Sequence, residues 1–414
     1  MKVLQINYSA GGSTGKIASA IHEMLICNQE DALFAYGRGK SNLPQTYKFG
    51  NELDFRIHTY LSRITGLHGY YSHIPTMCLI SKIKEFDPDI VHLHNIHGGY
   101  VNINMLLAFL AKENIKTIIT LHDCWMYTGG CAHYSIPFCD NWKRQCGHCI
   151  RKGEYPKSYI FDTSRKSLKN KKKLLTALPN LNIVTVSRWL ENQARQSFLK
   201  EKNITTIYNG IDTKIFYPRN SIAITCEKYS IPTDKRIILG VASVWANNKG
   251  LTKFLDLNGK LSDDFLIVLV GLTSEQIKSL PIDMIGISRT ENQDDLAEIY
   301  SMATVLINFS KEETFGMVAA ESLACGTPVI VSNTTACPEI VDEETGFSLD
   351  LDDTSEVVKR VKWIAENKDE KMKNACVSRV ERLFSSGQML NAYWRLYNRV
   401  IGDKENESKS VQPN

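Results

Sequence analysis

Short apolar runs alternate with helical segments along the whole chain, and this alternation constrains the fold more than any other feature. The runs are mostly apolar, as at residues 3–7, 89–94, 117–121, 237–242 and 265–270, and the run at 265–270 has no polar residue at all. Continuous runs are typical of strands covered on both faces, and the intervening helices are typical of parallel sheets. The pattern predicts an α/β protein with two doubly wound, Rossmann-like domains.

The chain is predicted to divide near its middle. We expect an N-terminal domain over residues 1–215, which carries a Cys-rich loop at 131–149, and a C-terminal domain over residues 216–387. The turn-rich stretch 209–218 is the expected hinge between them.

The end of the chain is predicted to return to the first domain. An aromatic-rich helix over residues 388–401 is expected to pack back on it, and the polar tail 402–414 is expected to be disordered. Ligands of open α/β sheets bind beyond the carboxyl ends of the strands. The chemistry is therefore predicted in a cleft between two facing domains.

The net charge of +4 conceals opposite charges on the two halves. Residues 1–219 carry 28 Lys/Arg and 16 Asp/Glu, a net of +12, whereas residues 220–414 carry 21 and 29, a net of −8. Much of the positive excess lies in residues 151–173, which either face acidic lipid or a phosphorylated acceptor, or form a solvated helix face. The acidic second half, without a recognisable nucleic-acid module, argues against nucleic acid as a partner.

Membrane spans and leader segments are not expected. The chain has no run of about 18 or more uncharged apolar residues, and its first residues form a strand-like segment instead of a signal peptide. We expect a cytoplasmic protein, in which the eleven cysteines are thiols or metal ligands.

Two glutamates, Glu313 and Glu321, lie eight residues apart around a predicted turn. The apolar residues 305–309 predict a strand, and residues 317–325 predict a helix, so Glu313 falls in the turn between them. Eight residues are a little over two helical turns, which places both carboxylates on roughly the same side. The free amides at the helix N-terminus suit a diphosphate, although a surface turn with one capping glutamate is the alternative.

Several motifs occur in the order of a known family. They are the glycine turn at 11–15, the histidine-bearing segments 89–94 and 120–123, Val186-Ser187, residues 209–212, Lys249-Gly250, and the Glu-x7-Glu motif with Ala-Cys-Gly-Thr-Pro behind it. In these motifs the chain resembles the retaining family-four glycosyltransferases of the GT-B fold over residues 1–401. The resemblance implies a hexosyltransferase that moves a sugar from a nucleotide-sugar donor to an acceptor hydroxyl with retention at the anomeric carbon. It also implies that the N-terminal domain, 1–215, lies on the acceptor side and that the C-terminal domain, 216–387, binds the nucleotide sugar.

The resemblance also implies roles for particular residues. His122 and Glu313 are the expected catalytic residues, and His122 contacts the donor sugar unless it only caps a strand end. Lys249 is expected to bind the diphosphate and Glu321 the ribose hydroxyls. The remaining expected donor-binding residues are Gly12, Ser243, Arg289, Phe315, Gly316, Met317 and Val318, the last four through their amides.

One position departs from the family pattern. The family often has an arginine six residues before the lysine, where this chain has Ser243. Either Lys249 acts with helix N-termini alone, or Arg289 compensates from a neighbouring loop.

Other motifs are expected to have no catalytic role. The turn at 11–16 lacks the first glycine and the Ser/Thr of a phosphate-loop ATPase, since Ala10 and Ile17 stand there. Asp352 and Asp353 are expected to cap a helix instead of binding a metal. We therefore expect transfer without a catalytic metal.

Three further histidines precede His122. His92 and His94 should project from the same face of one strand, and with His97 they are expected to be structural or to lie on the acceptor side.

Four cysteines fall within nineteen residues, at Cys131, Cys139, Cys146 and Cys149. Their Cys-x7-Cys-x6-Cys-x2-Cys spacing predicts a structural zinc site that holds a loop with little apolar content. Reduced thiols packed in a compact loop, or one or two labile disulfides, are the alternatives. The cluster, together with residues 94–98 and Trp142, also resembles colanic-acid-type bacterial exopolysaccharide glycosyltransferases.

The resulting functional hypothesis is a glycosyltransferase that extends a lipid-linked or oligosaccharide acceptor for a capsule, O-antigen or exopolysaccharide. The basic N-terminal half and the segment 55–63 predict peripheral contact with an anionic membrane surface, at the inner face of the plasma membrane. A nucleotide-sugar epimerase of the same fold, and a non-catalytic nucleotide-sugar-binding scaffold, are the alternatives.

Overall fold

The computed structural model describes residues 1–402, except for the side chain of Asn247. It comprises two compact units: an N-terminal unit of Met1–Ile207 with the chain from Leu390 onward, and a C-terminal unit of Tyr208–Met389. The first division precedes the expected boundary at 215, and the second follows residue 387. Beyond Gly402, the tail that was expected to be disordered lies outside the described residues.

Within the described residues, a seven-stranded parallel sheet forms the centre of the N-terminal unit, in the order β3-β2-β1-β4-β5-β6-β7. Its strands are β1 (Lys2–Ser9), β2 (Asp31–Arg38), β3 (Thr46–Lys48), β4 (Ile90–Leu93), β5 (Lys116–Leu121), β6 (Leu181–Thr185) and β7 (Asn203–Thr206).

Helices of this unit follow the strands in the alternation that the apolar runs predicted. They are α1 (Gly12–Cys27), α2 (Glu52–Thr65), α3 (His73–Phe86), α4 (Ile103–Lys112), α5 (Ser164–Thr176) and α6 (Arg188–Arg195). Asn102 caps α4 by accepting from the amides of Asn104 and Met105, which explains why that helix begins where it does.

The described part of the C-terminal unit has a six-stranded parallel sheet in the order β10-β9-β8-β11-β12-β13. Its strands are β8 (Arg236–Val241), β9 (Phe265–Val270), β10 (Met284–Ile287), β11 (Val305–Asn308), β12 (Val329–Ser332) and β13 (Gly346–Leu349). Its helices are α7 (Ala223–Lys228), α8 (Leu251–Asn258), α9 (Ser274–Lys278), α10 (Gln293–Met302), α11 (Met317–Ala324), α12 (Thr354–Asn367) and α13 (Glu370–Leu383).

Both sheets have the doubly wound strand order, in which strands are first added on one side of the first strand and then on its other side. The place where this order changes is the topological switch point: β1 pairs with β4 in the N-terminal unit, and β8 pairs with β11 in the C-terminal unit. The crevice beyond the topological switch point is where open α/β sheets bind ligands. The predicted α/β class with two Rossmann-like domains is therefore confirmed.

The last helix, α14 (Ser386–Ile401), contributes aromatic side chains to the N-terminal unit. The Tyr397 hydroxyl lies 2.7 Å from Nδ1 of His92, and the Tyr393 hydroxyl lies 3.0 Å from the hydroxyl of Thr120. Nε2 of His92 in turn lies 2.8 Å from the Thr120 hydroxyl. All four side chains are buried, so this polar network ties the end of the helix to β4 and β5.

The basic run on α5 contains one surprise. Lys166, Lys169, Lys172 and Lys173 are exposed, as a solvated face requires, but Lys171 is fully buried. Its Nζ lies 3.9 Å from the ring centroid of Trp125 and donates to the carbonyl oxygen of that residue. One lysine of the run thus serves the interior of the unit. In residues 1–402, no helix has the length and apolar character that crossing a membrane requires.

Candidate functional site

A lysine and a glycine occupy the loop that follows β8 at the topological switch point. A 3-10 helix, Asn247–Lys249, ends on Lys249, and Gly250 has a φ of 76°. A Cβ atom at Gly250 would lie 2.4 Å from Cβ of Phe309, at the end of β11. Only glycine allows this approach, which holds Lys249 beside the loop that follows β11.

The Lys249 ammonium contacts a carboxylate and a hydroxyl of that second loop. Its Nζ donates to Oε1 of Glu313 at 2.6 Å and to the Ser310 hydroxyl at 3.2 Å. The Lys249 and Glu313 side chains are 30% and 21% exposed, so the pair is open enough to meet a ligand. The structure thus brings together two residues that the sequence placed 64 positions apart.

The backbone of Glu313 is fixed by a third loop, which follows β12. The Glu313 amide donates to the hydroxyl of Thr335 at 3.1 Å, and the Glu313 carbonyl accepts from the amide of Ala336 at 3.2 Å. Thr335 itself has a φ of 54°, an uncommon value for a β-branched residue. These contacts hold the carboxylate near Lys249.

The glycine turn before α11 presents the helix N-terminus next to this pair. Gly316 is the N-cap and has a φ of 112°. Phe315 is buried and packs against Tyr208 and Phe384, with ring centroids 6.1 and 5.5 Å apart, so its side chain anchors the turn in the core. The first amides of α11, including those of Met317 and Val318, have no acceptor within the helix and point their partial positive charge outward.

Glu321 lies on α11 and meets a tyrosine that sequence reasoning missed. The Tyr300 hydroxyl donates to Oε2 of Glu321 at 3.0 Å. Burial, reinforced by the Glu321 charge, raises the pKa of Tyr300 well above its usual value, so Tyr300 stays a phenol and a donor. Tyr300 sits on α10 without a recognisable motif around it, and it leaves the carboxylate of Glu321 oriented.

Two expected donor-binding residues lie on the surface of the C-terminal unit. Ser243 follows β8 and Arg289 follows β10, and both are exposed. Both loops stand at the carboxyl end of the sheet, as does the Lys249 loop.

Gly12 lies at the corresponding position of the N-terminal unit, just beyond β1. It is exposed with a φ of 75°, and Gly11 is the N-cap of α1. One turn later, a Cβ atom at Gly15 would lie 2.7 Å from the carbonyl oxygen of Ser9. Glycine at 15 therefore lets the helix start directly against the strand end, which shapes the exposed turn.

His122 follows β5 directly and contacts a second histidine. Its Nε2 lies 3.2 Å from Nδ1 of His94, which follows β4, and the two rings stack with centroids 5.5 Å apart. His92 and His94 project from the same side of the strand, with centroids 4.0 Å apart, as their spacing predicted. The contact between His94 and His122 was not predicted, because it depends on the pairing of Leu93 with Ile119 across β4 and β5.

The tautomers of these rings follow from Gln5. One orientation of its amide satisfies all neighbours: the oxygen accepts from the His22 amide at 3.1 Å, and the nitrogen donates to Ala18 and to Nε2 of His94 at 2.9 Å. His94 then carries its proton on Nδ1 and donates it to Nε2 of His122. A neutral His122 must therefore carry its own proton on Nδ1.

Electrostatics keep His122 neutral at physiological pH. Burial, opposed by Asp123 and aided by His97, lowers the pKa of His122 to about 4. Burial and the neighbouring His92 and His122 lower the pKa of His94 in the same direction. The site thus presents hydrogen-bonding imidazoles instead of positive charges.

A pair of a histidine and an aspartate, which the sequence analysis missed, lies beside the two histidines. Nε2 of His97 lies 2.6 Å from Oδ2 of Asp123. Burial works against the Asp123 charge, but the His97 ring and the Trp125 amide hold the pKa of Asp123 below its usual range. Asp123 follows His122 in the chain, so its orientation by His97 fixes the loop that begins there.

The expectation for Asp352 is wrong in part. Asp353 caps α12 by accepting from the amides of Ser355 and Glu356, as predicted. Asp352 does not cap the helix; it forms ion pairs with Lys253, at 2.9 Å, and with Lys311. Two lysines from other segments compete for its carboxylate, which a local sequence pattern does not reveal.

All four clustered cysteines line one cavity of the N-terminal unit. Cysteines are free thiols throughout residues 1–402, and no three His, Cys, Asp or Glu side chains there stand close enough together to hold a metal ion as placed.

Two family models match this chain. The family model described as Glycosyltransferase Family 4 matches residues 32–215, and the model described as Glycosyl transferases group 1 matches residues 223–381. Together they span most of the chain. The chain belongs to the family-four and group-one glycosyltransferases, which confirms the resemblance drawn from its motifs.

Particular relatives extend this assignment. The chain is 26% identical over 352 residues to the N-acetyl-alpha-D-glucosaminyl L-malate synthase of Bacillus anthracis, covering 80% of this chain and 81% of the relative. It is 21% identical over 420 residues to a protein of Escherichia coli K12 named for colanic acid biosynthesis, the glycosyl transferase WcaC, covering 97% and 100%.

Solved structures share the GT-B fold over nearly the full length. The sucrose-phosphate synthase of Thermosynechococcus elongatus superimposes with a TM-score of 0.68 at 16% identity, covering 96% of this chain and 98% of that one. Anabaena HepE in complex with UDP and glucose superimposes with a TM-score of 0.65 at 15% identity, covering 96% and 99%.

Proposed function

We propose that this protein transfers a sugar from a nucleoside-diphosphate sugar to an acceptor hydroxyl, with retention at the anomeric carbon. The observation that carries the proposal is the contact between Nζ of Lys249 and Oε1 of Glu313, 2.6 Å apart, at the topological switch point of the C-terminal sheet and beside the N-terminus of α11. This site offers one ammonium, a set of amides and a carboxylate, which suit a diphosphate and a sugar.

Lys249 and the α11 amides stabilise the leaving diphosphate. The bond between the anomeric carbon and the phosphate oxygen breaks, and negative charge grows on that oxygen. The acceptor oxygen bonds to the same carbon on the same face, and the proton of its hydroxyl passes to the leaving phosphate oxygen. Groups fixed before the reaction stabilise this charge more than they stabilise the bound donor, so they lower the barrier. Lys249 exchanges Glu313 for phosphate when the donor binds, and the freed carboxylate accepts from sugar hydroxyls.

Other residues are proposed to contact the ribose and the sugar of the donor. Glu321, oriented by Tyr300, accepts from the ribose hydroxyls. The Nδ1 proton of His122 is donated to a sugar hydroxyl, and His94 keeps the ring in that tautomer. Gly12, Ser243 and Arg289 stand in loops at the carboxyl ends of their sheets and border the donor.

Transfer proceeds without a catalytic divalent metal in this proposal, because the Lys249 ammonium and the helix amides supply the positive charge. Addition of EDTA to the assay, for a time too short to release a tightly bound structural ion, is expected to leave the initial rate unchanged. Loss of transfer, with recovery on adding magnesium, would contradict this part of the proposal.

The direct test is a transfer assay with product analysis. A thermal-shift screen across UDP-, GDP- and ADP-sugars first identifies the donor, because a bound ligand raises the melting temperature; the UDP complexes of HepE favour UDP-sugars as the first trial. NMR of the product is then expected to show the anomeric configuration of the donor. Change of the sugar with donor alone would indicate an epimerase, and binding without turnover would indicate a scaffold.

The acceptor is proposed to be lipid-linked, for a capsule, O-antigen or exopolysaccharide, and met at a membrane surface by the N-terminal unit. Leu53, Ile57 and Tyr60 share one face of α2 and are 70%, 51% and 67% exposed. The Tyr159 amide donates to the Arg63 carbonyl at 2.6 Å, which places the exposed side chains of residues 159–161 at the end of the same helix. Arg56 and Arg63 are exposed on the same helix as this apolar surface, and their charge favours anionic lipid.

Vesicle flotation tests the membrane contact. The L53E/I57E double variant is expected to stay unbound with phosphatidylglycerol vesicles at low salt, whereas the wild type floats. The matched control is I224E/I282E, which replaces two exposed isoleucines of the C-terminal unit, 77% and 104% exposed, and is expected to float. Equal behaviour of all three proteins would contradict a role for α2.

A further inference from the structure

The Cys-rich loop closes around a cavity that the glycosyl-transfer site does not use. The cavity measures about 50 Å³, and the sulfur-bearing residues Cys131, Cys139, Cys146 and Cys149 all contribute to its lining. Since a single water needs roughly 10–15 Å³ by this measure, the space is sufficient for one ion.

The four cysteines form a ring of residues around this one cavity. As placed, no three of them stand close enough together to hold an ion. Sulfur donors turned inward from four sides of one cavity would match a tetrahedral site, whereas two separate disulfides would need only two close pairs.

A tight turn carries two of the four cysteines. Cys146 and Cys149 flank Gly147 and His148, which have φ values of 142° and 48°. The Cys149 amide donates to Oδ2 of Asp162 at 2.8 Å, which anchors this tight turn to the start of α5.

Backbone amides already point at two of the sulfurs. The Gly129 amide donates to the thiol of Cys146, and the Arg151 amide donates to that of Cys149. A Cβ atom at Gly129 would lie 2.8 Å from Sγ of Cys146, so this approach requires glycine. Amide donors to a metal-bound sulfur help to hold it in place.

Two basic side chains stand near the ring as well. The buried Lys171 interacts electrostatically with Cys131 and Cys146, and Arg151 does so with Cys131 and Cys149. One divalent ion bound by four thiolates has a net charge of −2, which adjacent protonated side chains would offset in a low-dielectric interior.

We propose that Cys131, Cys139, Cys146 and Cys149 bind one structural Zn²⁺ as thiolates. Four soft sulfur ligands in tetrahedral order favour zinc over the harder divalent cations, and a set of four leaves no open position for catalysis. The sulfurs line the cavity without meeting at metal-bond distances, so binding turns the side chains inward. Zinc then stabilises the loop that begins next to Asp123, independently of whether the transfer reaction is the one proposed.

Metal analysis of the full-length protein, purified under reducing conditions without chelator, tests the site. We expect about one zinc per chain in the wild type and in Cys78→Ser, which removes an exposed cysteine outside the ring. The C146S/C149S variant is expected to contain less than about a fifth of that amount.

Two further readouts keep the outcome clear if the double variant fails to fold. Zinc release from the wild type by a chelator is expected to lower its melting temperature and to make the four ring thiols reactive toward a thiol reagent. Wild-type protein with under about 0.2 zinc per chain, with iron in place of zinc, or with a mass that indicates two disulfides would overturn the proposal.

Discussion

The two units have the same central strand order, but they present different groups at the topological switch point: charged groups in one unit and neutral imidazoles in the other. All ten histidines of the chain lie between residues 22 and 148, in the N-terminal unit, and the C-terminal unit has none. Where the C-terminal unit presents Lys249, Glu313 and a helix N-terminus, the N-terminal unit presents the neutral His94 and His122. One fold therefore provides a charged site in one copy and a neutral hydrogen-bonding site in the other.

This difference separates two tasks of a glycosyltransferase. A diphosphate leaving group needs fixed positive charge, which Lys249 and the α11 amides are proposed to supply. Sugar hydroxyls need oriented donors and acceptors without net charge, and a buried imidazole of low pKa is suited to that task. The comparison predicts that substitutions in the two units affect different kinetic quantities.

The largest effect is expected for Lys249→Ala. Loss of the ammonium leaves Glu313 without its partner and the leaving diphosphate without its cation, so kcat/KM is expected to fall roughly 10²–10³-fold. Lys253→Ala is the matched control, since Lys253 pairs with Asp352 at 2.9 Å and not with Glu313. Steady-state kinetics with the identified donor measure both, and equal activities of the two variants would break the assignment of Lys249.

Glu313→Gln is expected to separate binding from turnover. The amide keeps the shape but removes the charge that competes with phosphate for Lys249, so the affinity for the nucleoside diphosphate is expected to stay equal or rise while kcat falls about 10²-fold. Glu343→Gln, an exposed glutamate of the same unit, is expected to change neither. Loss of diphosphate affinity in Glu313→Gln would contradict the competition between carboxylate and phosphate.

In the N-terminal unit, His94→Ala is expected to lower kcat about tenfold, because His122 loses the donor that fixes its tautomer. His94→Asn restores an amide nitrogen near the position of Nδ1 and is expected to recover most of the loss, whereas His94→Gln places its nitrogen near Nε2 and is not. Exposed His73→Ala serves as the control. If Asn and Ala are equally impaired, His94 is not a positioning residue for His122.

The effect that is smallest at neutral pH concerns acid stability. Burial lowers the pKa values of His58 and His92 to about 3 and that of His122 to about 4, from an ordinary value of 6.5. Between pH 6.5 and 4 the unfolded chain binds these protons and the folded unit does not, so stability is complete above pH 6.5 and falls with acidification. Each group costs about 1 kcal/mol per pH unit in this window.

Hydrogen exchange resolved by peptide tests this asymmetry. Between pH 6.5 and 4.5, after correction for the intrinsic exchange rate, protection is expected to decrease in β4 and β5 before it decreases in β8 and β11. Simultaneous loss in both units would mean that the histidines do not govern acid unfolding.

The sequence predicted the units and the charged site better than the neutral one. The continuous runs at 265–270 and 305–309 correspond to β9 and β11, because strands covered on both faces have a local signal. Strands β2, β3, β10 and β13 were not predicted; β3, β10 and β13 are at most four residues long, too short for a clear pattern. Lys249 and Glu313 were assigned from motifs, and the structure adds their contact.

Interactions across strands escaped the sequence analysis. The pairing of His94 with His122 depends on strand register, and that of His97 with Asp123 depends on two loops meeting in space. Burial of Lys171 was hidden because neighbouring lysines of the same run are solvated. Each case requires knowledge of which side chains share an environment, which local composition does not contain.

The central claim is that Lys249 of the C-terminal unit binds the diphosphate and that His122 of the N-terminal unit does not. Isothermal titration calorimetry with the matching nucleoside diphosphate, without sugar, tests this claim most directly. We expect Lys249→Ala to bind it about 10–100-fold more weakly than the wild type, because a charge-assisted contact is lost, and His122→Ala to bind it with unchanged affinity. Unchanged affinity in Lys249→Ala, or an equal loss in His122→Ala, would contradict the account.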